Sequence, residues 1–119
     1  MDLSDRDRWI CGQVGPTLRE YGIIDVYEAA DGEKAVEVIA ASRFDLIICD
    51  WDMPKMNGLE FLQHVRADDT TRQLPFIMLT ANANREHVAQ AIDAGVSDYL
   101  AKPVDMDKLL SMLRVWLYQ

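Results

Sequence analysis

Leu46-Ile47-Ile48-Cys49-Asp50-Trp51-Asp52-Met53-Pro54-Lys55-Met56-Asn57-Gly58 is an apolar run that ends abruptly in an acid and continues into turn-forming residues. Continuous apolar runs are typical of strands that are buried on both faces of a parallel sheet. In open α/β sheets, ligands bind outside the carboxyl ends of the strands. The stretch therefore predicts a buried strand over 45–50 that delivers the carboxylate of Asp50 to a ligand site.

Two more apolar runs end in residues whose polar side chains can contact a ligand. We predict one strand over 74–80, which ends in Thr80, and another over 97–102, which ends in Lys102. Right-handed crossovers bring the carboxyl ends of parallel strands to the same edge of a sheet. We therefore expect Asp50, Thr80 and Lys102 to converge there.

Helical spacing of apolar residues separates these strands. It predicts helices over 33–41, 59–66, 84–94 and from 105 toward the C-terminus. A short alternating segment over 24–29 is typical of a half-exposed strand. Strands that alternate with helices indicate a parallel sheet and an α/β fold. We find no linker and no repeat, which predicts one domain over residues 1–119.

The composition argues against several classes of protein. Half of the 119 residues are apolar, which suits one core, and the net charge is −8. An acidic chain is repelled by the phosphates of nucleic acids and by anionic membranes. No apolar run approaches the roughly 20 residues of a membrane span, and no signal-peptide pattern opens the chain. With Cys11 and Cys49 far apart, we expect a reduced cytoplasmic protein that binds neither nucleic acid nor membrane.

An acid, a hydroxyl and an ammonium at three strand ends suit the chemistry of a phosphoryl group. Asp50 is the candidate nucleophile, because a carboxylate can form an acyl phosphate. Lys102 would neutralise the phosphoryl oxygens, and Thr80 would donate a hydrogen bond to them. Pro103 is a candidate for a cis peptide bond, which X-Pro bonds adopt at low cost. A divalent cation, normally Mg²⁺, would supply the remaining positive charge.

From about Leu18 to the C-terminus, the chain resembles the receiver domain of two-component response regulators. The resemblance is carried by the segments 28–35, 50–58, 74–81 and 94–103. The pair Asp50-Trp51 and Tyr99 are most similar to the chemotaxis-type, single-domain members. The resemblance implies a flavodoxin-like, doubly wound parallel sheet of five strands in the order 2-1-3-4-5, with helices on both faces.

The resemblance also implies roles for individual residues. A histidine kinase or a phosphotransfer protein would phosphorylate Asp50, and Thr80 and Tyr99 would form the switch pair. The backbone carbonyl of Asp52 would join the Asp50 carboxylate as a ligand of Mg²⁺. The Asp52 side chain and Asn82 would tune the lifetime of the phosphate. We expect a signalling switch rather than an enzyme, with at most self-phosphorylation from small donors and self-dephosphorylation.

The family's output face consists of its fourth helix, fifth strand and fifth helix, which here are roughly 84–94, 99–101 and 105–118. The chain ends after that face. We therefore expect the output to be the binding of a downstream protein, unless the chain is a fragment of something longer.

The N-terminus departs from the family, whose apolar first strand ends in two adjacent acids that hold the metal. Counting back from Leu18 without gaps places Asp5 and Arg6 at that pair, with Asp7 one place late. A register slip would let Asp5 and Asp7 both bind the metal. In a second account, the first strand lies at 9–11 and the acids lie outside the site. In a third, the metal site is damaged and the guanidinium of Arg6 occupies the place of the cation.

These departures make the first strand and the first helix atypical, and they favour weakened Mg²⁺ binding. Should no strand form there, the exposed sheet edges would favour a homodimer.

Two other functions remain open. A receiver with an impaired metal site would act as a constitutive interaction module. Asp50-Trp51-Asp52 also fits, superficially, the motif of haloacid-dehalogenase-type phosphatases, although the later acidic pair of that family is missing. We interpret His64 and His87 as surface residues, and we expect Trp51 to report metal or phosphate binding by its fluorescence.

Overall fold

The computed structural model describes residues 9–11, 18, 20, 26–41 and 43–117. Within them, the strands are β1 (Trp9–Cys11), β2 (Val26–Glu28), β3 (Leu46–Asp50), β4 (Phe76–Thr80) and β5 (Asp98–Ala101). The helices are α1 (Gly32–Ala41), α2 (Gly58–Ala67), α3 (Arg85–Asp93) and α4 (Met106–Leu117). Leu18 and Glu20 are also helical.

The strands form one parallel sheet in the order β2-β1-β3-β4-β5. This is the predicted order, and the flavodoxin-like α/β fold is confirmed. The register pairs Asp50 with Leu79 and Thr80 with Ala101. The carboxyl ends of β3, β4 and β5 therefore lie side by side at one edge of the sheet.

Alternate residues of β3 and β4 point to opposite faces of the sheet and build two cores. One core joins Leu46, Ile48, Ile77 and Leu79 to Leu18 and to the buried leucines of α4. The other core lies under α1, α2 and α3, and its buried residues from the sheet and these helices are Ala35, Ile39, Ile47, Cys49, Phe61, Leu62, Val65, Phe76, Met78 and Ala91. Helices on both faces explain why the two central strands are fully buried.

Polar residues begin the helices. Asp31 Oδ1 accepts from Lys34 N at the start of α1, and Asn57 forms a reciprocal capping box with Glu60 at the start of α2. Asn84 and Asp105 likewise accept backbone N–H bonds at the starts of α3 and α4. Such caps satisfy N–H groups that have no partner inside a helix. Two of the caps, Asp31 and Asn57, lie beside the carboxyl ends of β2 and β3 and so help to fix the loops there.

At the opposite end of the sheet, the guanidinium of Arg66 joins two loops. Its Nε donates to the carbonyl of Gly95 at 2.9 Å, and one terminal nitrogen donates to the carbonyls of Arg72 and Leu74 at 3.0 and 2.6 Å. The other terminal nitrogen lies 3.3 Å from Ser97 Oγ. Desolvation by burial lowers the pKa of Arg66 from its ordinary value. This residue fastens the end of α2 to the segments that precede β4 and β5.

The first strand lies at Trp9–Cys11, as in the second of the three accounts above. It has only three residues and pairs with both β2 and β3. The centre of the sheet is therefore filled, and the unpaired edges that would have favoured a homodimer do not arise there. Asp5, Arg6 and Asp7 precede this strand in the sequence and lie outside the described residues.

Among the described residues, no helix combines the length and the apolar character that crossing a membrane requires.

Candidate functional site

Asp50 is the last residue of β3, and its side chain is 1% exposed. The strand continues into the site through a hydrogen bond from Trp51 N to the carbonyl of Leu79 at 2.8 Å. Among the described residues, no hydrogen-bond donor satisfies either carboxylate oxygen of Asp50. A buried carboxylate without hydrogen bonds is costly unless a charge or a ligand compensates it.

The compensating charge comes from Lys102, which follows β5. Its Nζ lies 2.7 Å from Asp50 Oδ1, and its backbone N–H donates to the carbonyl of Thr80 at 2.7 Å. The contact to Oδ1 is a close ion pair. The predicted cis peptide bond is present between Lys102 and Pro103. The second carboxylate oxygen, Oδ2, has neither an ion pair nor a hydrogen bond within the described structure.

Thr80 ends β4 between these two residues and is 2% exposed. Its hydroxyl donates to the carbonyl of Asn82 at 3.0 Å and accepts from Asn82 N at 3.0 Å. The hydroxyl is thus engaged in its own turn. It would have to exchange its bond to the Asn82 carbonyl for a bond to any group held on Asp50.

Tyr99 lies on β5 opposite Met78, and its side chain is partly buried against the core under α1, α2 and α3. Asp52 and Asn82 are exposed residues of the loops that follow β3 and β4. Asp52 and Asn82 therefore lie in the loops at the carboxyl edge of the sheet, whereas Tyr99 lies within β5, three residues before Lys102.

The loop over 51–57, which we call the acceptor loop, is held by close backbone packing. Gly58 N donates to the carbonyl of Trp51 at 2.8 Å, and a Cβ on Gly58 would lie 2.5 Å from the carbonyl oxygen of Asp50. Lys55 has a φ of 69°, which is unusual for a residue with a side chain. Its Nζ lies 3.8 Å from Asp31 Oδ2, at the turn that begins α1. The loop can therefore move little without disturbing Asp50.

Only part of the predicted metal site falls within the described residues. Asp50 and Asp52 are described, whereas Asp5 and Asp7 are not. Within the described part of the chain, no cluster of three or more His, Cys, Asp or Glu residues could hold a metal ion. The Oδ2 atom of Asp50, buried and without a hydrogen bond, is nevertheless the kind of hard oxygen donor that Mg²⁺ takes.

The sequence did not reveal the role of His87. Its ring contacts that of Trp51, with the ring centroids 4.7 Å apart and the planes inclined by 56°. The side chain is partly exposed and packs against the indole, a contact that its interpretation as a surface residue did not include. The sequence offered one signal for this contact, namely that His87 comes three residues after the capping residue Asn84. That spacing places His87 in the first turn of α3.

Comparisons with known proteins agree with this geometry. A family model described as the response regulator receiver domain matches residues 4–114. The chain is 41% identical over 86 residues to chemotaxis protein CheY-3 of Vibrio cholerae serotype O1, which is 72% of this chain and 66% of that protein. It is also 41% identical over 86 residues to chemotaxis protein CheY of Pseudomonas aeruginosa, of which the match covers 69%. The chain thus spans about two thirds of the length of these relatives.

Solved structures show the same architecture. The receiver domain of the sensor histidine kinase PA1611 from Pseudomonas aeruginosa, described with a magnesium ion coordinated in its active site cleft, aligns with a TM-score of 0.82 and 30% identity. That alignment covers 96% of this chain and 99% of the other. Chemotaxis protein CheY4 of Vibrio cholerae aligns with a TM-score of 0.84 and 31% identity, covering 94% of this chain and 99% of the other.

Proposed function

The chain belongs to the response regulator receiver domain family, and we propose that it is a switch that accepts a phosphoryl group on Asp50. The donor is the phosphohistidine of a histidine kinase or of a phosphotransfer protein. The receiver domain comprises residues 1–119. Membership of this signalling family leaves the phosphatase interpretation without support.

One observation carries the proposal. The carboxylate of Asp50 is buried, has Lys102 at 2.7 Å and lacks any hydrogen bond from the described residues. A carboxylate that is held next to a cation, yet keeps an oxygen without a partner, is arranged to take on a further group. A purely structural aspartate at a strand end would instead accept hydrogen bonds from the following turn.

The reaction joins a carboxylate oxygen of Asp50 to phosphorus while the bond from phosphorus to the histidine nitrogen breaks. The transferred group carries negative charge on its three outer oxygens. The ammonium of Lys102 remains beside it and neutralises part of that charge. The phosphohistidine nitrogen departs with the electron pair of the broken bond and takes up a proton.

Mg²⁺ would supply the rest of the positive charge when it is bound. The carboxylate of Asp50 and the backbone carbonyl of Asp52 are the described residues that we propose as its ligands. Asp5 is the further candidate, with Asp7 as its alternative, but the first strand at Trp9–Cys11 favours the account in which both acids lie outside the site. We therefore propose that Mg²⁺ binding is weakened, with the charge of Arg6 as the alternative cause.

We propose that Thr80 and Tyr99 read the phosphorylated state. The Thr80 hydroxyl leaves the carbonyl of Asn82 and donates to the phosphoryl group, which frees the turn after β4. The side chain of Tyr99 then changes its position according to the space that this movement opens or closes. The exposed side chains of Asp52 and Asn82 set the phosphate lifetime, because they border the path by which water reaches the group.

The output is the binding of a downstream protein at the surface made by α3, β5 and α4. The acidic chain does not bind nucleic acid or membranes and acts in the cytoplasm. It performs no chemistry beyond its own phosphorylation and dephosphorylation.

A small donor with a phosphorus–nitrogen bond tests this proposal. Phosphoramidate and Mg²⁺ should add one phosphoryl mass to the intact wild-type chain, and Asp50→Asn should not be labelled. Asp52→Asn is the matched control, since it alters the neighbouring acid and should retain labelling with a changed lifetime. Labelling of Asp50→Asn at the wild-type rate would refute the assignment.

The second candidate is an interaction module that binds its partner without phosphorylation. It is favoured by the position of the first strand at Trp9–Cys11, which agrees with the account in which Asp5 and Asp7 lie outside the metal site. A titration of Trp51 fluorescence with Mg²⁺ separates the two candidates. A response in the wild type supports the switch. A wild type that does not respond supports the module, and Arg6→Asp then shows whether Arg6 is the cause.

A further inference from the structure

The contact between Trp51 and His87 links the acceptor loop to the first turn of α3. Trp51 follows Asp50 directly, and its side chain is 7% exposed. Its backbone is fixed on both sides, by the bond from Trp51 N to the carbonyl of Leu79 and by the bond from Gly58 N to the carbonyl of Trp51. The indole therefore has little freedom, and the His87 ring lies against it with a centroid distance of 4.7 Å.

Asn84 fixes the other side of the imidazole. Asn84 Oδ1 accepts from His87 N at 2.9 Å, which identifies it as the amide oxygen, and His87 Nδ1 lies 3.0 Å from the same atom. An amide oxygen can only accept, so Nδ1 must carry the hydrogen. Asn84 therefore holds the imidazole on one side, while Trp51 contacts it on the other.

We propose that His87 is a positioning residue for the acceptor site, which holds Trp51 in place from α3. Aromatic rings whose centroids lie 4.7 Å apart attract each other beyond the effect of the apolar area that they bury. Because Asn84 holds the imidazole at the start of α3, the contact couples the position of this helix to the residue beside Asp50.

The contact has a consequence for the phosphoryl group, and this part of the inference rests on the proposed function. Trp51 is the neighbour of the phosphorylated residue, and α3 belongs to the proposed output surface. If the imidazole is removed, the indole gains freedom and water gains access beside Asp50. The aspartyl phosphate should then be lost faster.

The fluorescence of Trp51 tests the contact without any phosphate donor, because an indole covered by another ring is shielded from a quencher in solution. Trp51 emission is obtained as the difference between each variant and the same variant carrying Trp51→Phe. Acrylamide should quench this emission more strongly in His87→Ala than in the wild type. The chain has two histidines, so His64→Ala is the matched control and should be quenched like the wild type.

The lifetime of the phosphate tests the positioning role. His87→Ala should shorten the lifetime several-fold, and His87→Phe should restore much of it, since a ring again lies against the indole. Equal acrylamide quenching in the wild type and His87→Ala, a change in quenching that follows His64, or equal lifetimes in the wild type and His87→Ala would overturn the inference. A chain that accepts no phosphate but keeps the His87-dependent quenching would refute the proposed function and leave the contact supported.

Discussion

The ammonium of Lys102 lies 2.7 Å from a carboxylate oxygen of Asp50, although the two residues belong to strand ends that are separated by β4 in the sheet. The parallel register brings them together. Asp50 pairs with Leu79, and Thr80 with Ala101, so each following strand reaches one residue further toward the site. The cis bond to Pro103 comes directly after Lys102.

Lys102→Met should lower the free energy of unfolding at neutral pH by about 1–3 kcal/mol, because it leaves a buried carboxylate without its cation. The double variant Asp50→Asn/Lys102→Met should regain most of this loss, since both charges are then absent. Urea unfolding of the wild type, the two single variants and the double variant gives the coupling energy. A coupling energy near zero would mean that the ion pair contributes nothing to the folded state.

Gly58→Ala should both destabilise the chain and slow its phosphorylation. The new Cβ would lie 2.5 Å from the carbonyl oxygen of Asp50 and 2.8 Å from Trp51 Cα, so the backbone at the acceptor has to shift. Overpacking of this kind typically costs about 1–3 kcal/mol. Urea unfolding and the rate of labelling by phosphoramidate measure the two effects.

Gly95→Ala is the control for that variant. Gly95 has a φ of +93°, so alanine is strained there, but the residue lies at the opposite end of the sheet beside Arg66. Its substitution should cost stability without changing the labelling rate. If Gly58→Ala is labelled as fast as Gly95→Ala, the close packing of the acceptor loop is not needed for phosphorylation.

Arg66→Lys should lower the free energy of unfolding by about 1–3 kcal/mol, although the lysine keeps the positive charge. The planar guanidinium reaches the carbonyls of Gly95, Arg72 and Leu74 at once. A single ammonium cannot reproduce this geometry. Thermal and urea unfolding measure the loss, and a lysine variant as stable as the wild type would show that these bonds are dispensable.

Asp68→Asn should destabilise the chain at neutral pH but not in acid. Hydrogen bonds from the backbone N–H of Thr70 and then from its hydroxyl hold the pKa of Asp68 below its ordinary value. The carboxylate therefore adds stability above the pKa of the unfolded state, and this stability is lost as the pH falls through the lowered, folded-state pKa.

Asp69→Asn is the matched control, because Asp69 is exposed and its ion pair with Arg72 is long, at 3.7 Å. Urea unfolding should give the two variants different free energies of unfolding at neutral pH and equal ones in acid. A difference that persists after both carboxyls are protonated would contradict this explanation of Asp68.

Much of the central part of the fold can be predicted from the sequence. The strands β3, β4 and β5 and the four helices lie within one or two residues of their predicted bounds, because their apolar periodicity is strong and their ends carry caps or turn residues. The convergence of Asp50, Thr80 and Lys102 follows from the parallel order of the strands. It needs no knowledge of any side-chain contact.

The first strand could not be placed in this way. Trp9–Cys11 has only three apolar residues, and its position is decided by pairing with β2 and β3, which are distant in the sequence. The contact of His87 with Trp51 was missed for a similar reason. It depends on how α3 is rotated against the acceptor loop, which no local pattern of residues specifies.

The most direct test of the proposed switch is to locate the phosphoryl group. Wild-type chain treated with phosphoramidate and Mg²⁺ is reduced with borohydride, which converts an aspartyl phosphate to homoserine, and its peptides are sequenced by mass spectrometry. We predict homoserine at position 50, dependent on the donor and abolished by removal of Mg²⁺. Unmodified aspartate at position 50 in a sample whose intact mass shows the added phosphoryl group would contradict the account.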